Sequence, residues 1–130
     1  MIFVDTNYFV WFLMGDESQH QEIAARLFED GLSGKVKLYM SIIVFFEIYW
    51  VLKSKYKLSK ETLINSLKNV LDMSFIKLDE RECLYKSLDV YNQTNLDLED
   101  SYTLALVKSD KDNNLATFDE ELLKMFKKSK

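Results

Sequence analysis

Proline is absent from this 130-residue chain, glycine occurs three times, and cysteine and histidine occur once each, as Cys83 and His20. Without proline and with so little glycine, helices run mostly uninterrupted and the segments between elements are short. One cysteine excludes an intrachain disulfide framework and suits a reducing compartment. One histidine and one cysteine cannot supply a zinc site of His and Cys ligands, and any Ser-His-Asp or Cys-His arrangement would have to use His20. A metal held by this chain is therefore a hard ion bound through oxygen. Also missing are a basic segment with a small-residue cleavage site before Asp5 and an apolar run long enough to span a bilayer; the longest, Ser41 to Leu52, contains Glu47. A cytoplasmic protein without a membrane segment is expected. The formal net charge of -4 disfavours non-specific coating of nucleic acid, although lysines gather at Lys53, Lys55 and Lys57 and again at Lys124, Lys127, Lys128 and Lys130.

What the chain does have is apolar: 48% of residues are aliphatic, aromatic or cysteine. At this length one domain, residues 1–130, is expected, burying roughly two thirds of the surface of the unfolded chain. Short β-like runs alternate with longer helical ones. Ile2–Val4, Lys37–Met40, Ser74–Leu78 and Asn114–Phe118 suit strands. Tyr8–Leu13, Gln19–Leu32, a segment capped by Ser41 and running to about Tyr56, one opened by Ser59, one capped by Asp79, one from Asp97 to about Lys108, and one from Asp119 suit helices. That order predicts an α/β fold with a mainly parallel sheet covered on both faces.

Four acids stand beside or inside apolar runs: Asp5 in FVDTN, Glu47 in VFFEIYWVL, Asp100 in LDLEDSYTLAL and Asp119 in LATFDEELL. Each has an ordinary explanation when taken alone. Asp5, Asp97 and Asp119 can cap helices, Asp97 with Asp100 three positions on resembling a capping box. Glu47 is harder to dismiss, because its apolar neighbours leave no obvious solvated face and a lone buried carboxylate is costly. Ligands of open α/β sheets bind beyond the carboxyl ends of the strands, which is where Asp5 and Asp119 fall.

The four motifs together resemble the PIN-domain ribonucleases, and within them the VapC-like toxins of type II toxin–antitoxin pairs. VDTN at positions 4–7 matches the opening motif, the Glu47 segment the apolar helix with one acid, LDLEDSYTLAL the third acidic motif, and ATFDEELL the closing TFD. The resemblance covers nearly the whole chain. It implies a three-layer α/β/α PIN-like fold with a central sheet of four or five strands, and an endoribonuclease using one or two Mg²⁺ or Mn²⁺ ions. It makes Asp5, Glu47, Asp100 and Asp119 the metal-binding catalytic acids, with Asn7 and Thr117 orienting carboxylates or bound water. Asp97, one helical turn from Asp100, is a cap first and a possible neighbour of the pocket. The resemblance also implies an RNA substrate, a homodimer and a protein antitoxin covering the aromatic helices around Tyr8–Phe12 and Phe45–Trp50. Physical reasoning points the same way: two carboxylates about 5 Å apart repel by roughly 3 kcal/mol at an effective dielectric of about 20, so converging acids call for a cation. Other readings are a housekeeping RNA-processing or flap nuclease and a non-catalytic PIN-fold binding module.

Two departures from the family carry expectations. Lys111–Asn114 replaces a glycine-containing turn, with the asparagines expected to supply similar geometry. The chain also stops soon after Phe126, so a shorter sheet edge is expected.

Overall fold

The computed structural model describes residues 1–15 and 19–128, which leaves Lys130 of the second lysine group outside the described residues. It forms two compact units, Met1–Asp79 and Glu80–Lys130.

The first unit is α/β. Its strands β1 (Ile2–Phe3), β2 (Leu38–Tyr39) and β3 (Ile76–Lys77) pair in parallel with β2 in the middle, in the register Ile2–Leu38–Ile76 and Phe3–Tyr39–Lys77. Parallel strands cannot be joined by tight turns, so each crossover carries a helical pair. These are α1 (Thr6–Met14) with α2 (Gln19–Leu32), then α3 (Ile42–Ser54) with α4 (Lys60–Leu71). The ladders are shorter than the apolar runs that announce them, but their flanks stay engaged: Val4 N–H donates to Tyr39 O at 2.8 Å and Met40 N–H to Lys77 O at 3.0 Å. Serines start two helices as expected, Ser41 Oγ accepting from Val44 N–H and Ser59 Oγ from Thr62 N–H. At the end of α1, Gly15 takes the left-handed conformation (φ 61°) that glycine adopts without strain. α1 packs on α2 and α3, and α3 on α4. Phe9, Phe45, Ile48, Tyr49 and Leu52 are completely buried, and the Phe28 ring meets Phe9 and Phe12 at centroid distances of 5.3 and 5.0 Å.

Gly31 lets α2 lie close to the sheet. A Cβ there would stand 2.6 Å from Leu38 Cδ1 and 3.1 Å from Phe75 Cδ2, and Leu38 is itself buried and has little room to turn. An alanine in a helix gains up to about 1 kcal/mol over glycine, whereas forcing a methyl into a filled core costs about 1–3 kcal/mol. We therefore expect Gly31→Ala to lower stability by about 1 kcal/mol in urea unfolding; an unchanged or higher midpoint would mean that Leu38 relaxes.

The second unit is helical among its described residues: α5 (Arg81–Gln93), α6 (Leu98–Val107) and α7 (Glu120–Lys128), with α6 packed on both others. Leu96, Leu104, Leu122 and Phe126 form its buried cluster. Two expectations fail here. Residues 114–118 form no strand. Their polar side chains bond locally, Asn114 Oδ1 accepting from Leu115 N–H and Thr117 Oγ1 from Asp119 N–H, and such bonds compete with a ladder; Phe118 is fully exposed. The turn before this segment is closed by Asp110 rather than by left-handed asparagines, its carbonyl accepting from Asn113 N–H and its carboxylate from Asp112 N–H.

Asp79 does not cap α5 either. Glu80 occupies the cap position in the left-handed region (φ 63°) and makes no side-chain capping bond. Its carboxylate instead accepts a 2.6 Å hydrogen bond from the Tyr102 hydroxyl, tying α6 to the start of α5. Burial, then the bond to Glu80, pushes the Tyr102 phenol up to about 12. A pKa raised on folding gives stability that is present below the unfolded value near 10 and is lost as pH climbs toward 12. Tyr102→Phe should cost about 1 kcal/mol at neutral pH, and the difference from the parent should vanish through that alkaline window. Equal stability of the two proteins at pH 7 would show that the bond contributes nothing.

No helix among the described residues is long and apolar enough to cross a membrane.

Candidate acidic site

In the first unit the C-terminal end of β1 leads through buried Val4 into Asp5, whose Oδ1 accepts from Thr6 N–H at 2.8 Å as the cap of α1. Asp5 and Asn7 are exposed. Between them Thr6 is buried, and its Oγ1 finds no hydrogen-bond partner. An unsatisfied buried hydroxyl is costly, which makes Thr6 a candidate for the site. The VDTN motif contains it, but sequence alone does not reveal its burial.

Glu47 does not have the surroundings expected of it. α3 turns Val44, Phe45, Ile48, Tyr49 and Leu52 inward and leaves Ile43, Glu47 and Trp50 exposed. These three follow the i, i+4, i+7 spacing of one helical face, so the carboxylate stands in water on an otherwise apolar stripe and needs no buried partner.

In the second unit the acids gather at the starts of α6 and α7. Asp97 caps α6, its Oδ1 accepting from Asp100 N–H at 2.8 Å. Asp119 opens α7, its Oδ1 accepting from Leu122 N–H at 3.0 Å while its own N–H donates to Thr117 Oγ1. Asp100 is half-buried, and its carboxyl is held above the ordinary range, first by burial and then by the charges of Asp97, Asp119 and Glu99. Asp100 and Asp119 are distant in sequence, yet the fold brings them within electrostatic reach of each other.

The capping explanation thus holds for Asp5, Asp97 and Asp119, and it does not exclude a second role. Each uses Oδ1 for its backbone bond, while a carboxylate has a second oxygen with acceptor capacity and gains a fixed orientation from the cap.

The donor chemistry suits a hard divalent cation, since the set consists of carboxylates with a nearby hydroxyl and amide and contains no imidazole or thiolate. The raised pKa of Asp100 reflects its burial first and the neighbouring negative charges second. Among the described residues no three His, Cys, Asp or Glu side chains are already gathered as a metal-holding group. The residues fit such an ion in chemical kind alone.

Against known proteins, the family model of the PIN domain matches residues 2–128. No curated protein and no solved structure matches.

Proposed function

The chain belongs to the PIN-domain family, whose members are typically divalent-metal-dependent nucleases, and from that premise we propose that it is an endoribonuclease and the VapC-like toxin of a toxin–antitoxin pair. The observation that best supports catalysis is half-buried Asp100, whose carboxyl is held above its ordinary range first by burial and then by the charges of Asp97, Asp119 and Glu99. Carboxylates that perturb one another at one end of a unit mark it as a candidate functional site.

The proposed ligands are Asp5, Glu47, Asp100 and Asp119, holding one or two Mg²⁺ or Mn²⁺ ions. When bound, such an ion acidifies water and neutralises charge on the phosphoryl oxygens. The chain's own contribution is orientation. The caps of α1 and α7 fix the Asp5 and Asp119 carboxylates. Asp97 anchors the first turn that carries Asp100, and Thr117 holds the backbone N–H of Asp119. Asn7 lies beside Asp5 to orient water. His20 stacks on Trp11 with ring centroids 4.2 Å apart, and the proposed reaction has no need of an imidazole base.

The toxin assignment draws support from apolar side chains left in water on the first unit, among them Phe3, Phe12, Ile43 and Trp50. We assign this surface to a homodimer contact and to a protein antitoxin, in the cytoplasm. Cleavage by water rather than by the RNA 2′-hydroxyl leaves a 5′-phosphate and a 3′-hydroxyl. End-group analysis of RNA cut by the purified protein should find those ends. Cyclic phosphates would contradict the mechanism.

A further inference from the structure

The second unit carries, away from its acidic end, two adjoining grooves that the proposed catalytic acids do not line. One, of about 320 Å³, is bordered by Lys86, Asp89, Gln93 and Lys108; the other, of about 200 Å³, by Gln93, Thr94, Lys108 and Lys128. Val90, Gln93 and Lys108 border both. Lys86, Lys108 and Lys128 are all exposed, come from or adjoin three different helices, and make no ion pair among the described residues. Asp89 is the single acid in the lining.

Lysine at a helix C-terminus is ordinarily explained by the helix dipole. That explains Lys108 and Lys128 separately, but it does not explain why two helix ends and the middle of a third line two adjoining grooves joined at Lys108. Eight residues separate Asp100 from Lys108 along α6, and Glu120 from Lys128 along α7, which at 1.5 Å per residue is about 12 Å of helix in each case. The unit is thus polarised, with carboxylates at the starts of α6 and α7 and lysines at their ends. A polyanion approaching the acids is repelled by Asp97, Glu99, Asp119, Glu120 and Glu121, so cations outside the acid cluster must hold it. About 12 Å corresponds to roughly three or four phosphates of a stacked strand.

We infer that the two adjoining grooves, which share Gln93 and Lys108 and are bordered at their outer sides by Lys86 and Lys128, hold backbone phosphates of single-stranded RNA a few nucleotides from the acids. This rests on the nuclease reading for its direction along α6, and on the grooves themselves for the binding. RNA is favoured over an acidic peptide because a continuous strand can engage both ends of the polarised unit.

The test is fluorescence anisotropy of the full chain with a labelled single-stranded RNA in EDTA, titrated over a range of salt. Lys108→Ala/Lys128→Ala should weaken binding about tenfold near physiological salt and flatten the log–log salt slope by about 1.4, the loss of two phosphate contacts at roughly 0.7 each. Lys124→Ala/Lys127→Ala, on α7 but outside the groove lining, should bind within about twofold of the parent. Parental affinity in the groove variant, an equal loss in the control, or groove-dependent binding of polyglutamate without groove-dependent binding of RNA would each overturn the assignment. Lysine-dependent binding by a parent that never cleaves with Mg²⁺ or Mn²⁺ would support the groove and sink the nuclease reading. Metal-dependent cleavage with lysine-independent binding would do the reverse.

Discussion

Asp100→Asn should reduce RNA cleavage by on the order of 100-fold or more, since removing a ligand costs at least what losing an outer hydrogen-bond partner of a metal site costs. The same substitution should leave the apo protein as stable as the parent or slightly more so. The parent's carboxyl is held above its ordinary range by burial and by Asp97, Asp119 and Glu99. A carboxyl pKa raised on folding means that the folded state disfavours the charge, so stability falls as pH rises from the ordinary carboxylate value through the raised one. The advantage of Asn over Asp should therefore be present at neutral pH and fade on acidification, as the parent becomes protonated. Divalent metal should raise the melting temperature of the parent and do so less for the variant. Asp5→Asn should behave alike in activity, because asparagine caps a helix about as well as aspartate and the start of α1 is kept. Either variant cutting RNA at the parental rate would remove that residue from the ligand set.

Phe45→Ala should destabilise the protein by about 3–5 kcal/mol, a large share of the 5–15 kcal/mol typical of a domain. The Phe45 ring is completely buried and meets Phe46 edge to face at a 6.0 Å centroid distance, so truncation leaves a cavity where α3 packs. Trp50→Ala, five residues along the same helix, should cost far less. Trp50 is 40% exposed, and its contacts include Tyr49 and the Lys53 ammonium above its ring. If the exposed stripe is a partner surface, Trp50→Ala should instead weaken self-association. Urea unfolding and sedimentation of the two variants separate these roles, and similar stability losses would mean that α3 has no inner and outer face.

α3 also shows where sequence reading loses its grip. Its residues are so uniformly apolar that no hydrophobic periodicity marks a solvent side, and Glu47 looks stranded in a core. Only packing against α1 and α4 selects Ile43, Glu47 and Trp50 as the outer stripe. The three strands of the first unit were legible because each is an apolar run followed by a helix start, but a ladder's length is set by its partner, and the pairs shrink to two residues each. Residues 114–118 carry two side chains, Asn114 and Thr117, that satisfy backbone N–H groups locally, and the strand expected there does not form. Caps were the most readable feature: Ser41, Ser59 and Asp97 act where their spacing to the next N–H predicts. Asp79 fails because Glu80 takes the cap position in a left-handed conformation tied to Tyr102, a contact 22 residues away in sequence. The proximity of Asp100 and Asp119 is likewise non-local; it could be anticipated from the order of the motifs, not from either segment alone. The burial of Thr6 is not legible in VDTN, because a threonine's burial depends on what folds around it.

The most direct measurement is cleavage of single-stranded RNA by the purified full chain with Mg²⁺ or Mn²⁺, with EDTA, and with metal restored after EDTA. A metal-dependent PIN nuclease built on these acids should cut with either ion, stop on chelation and recover on readdition. Cleavage indifferent to EDTA, or none with either ion, would contradict it.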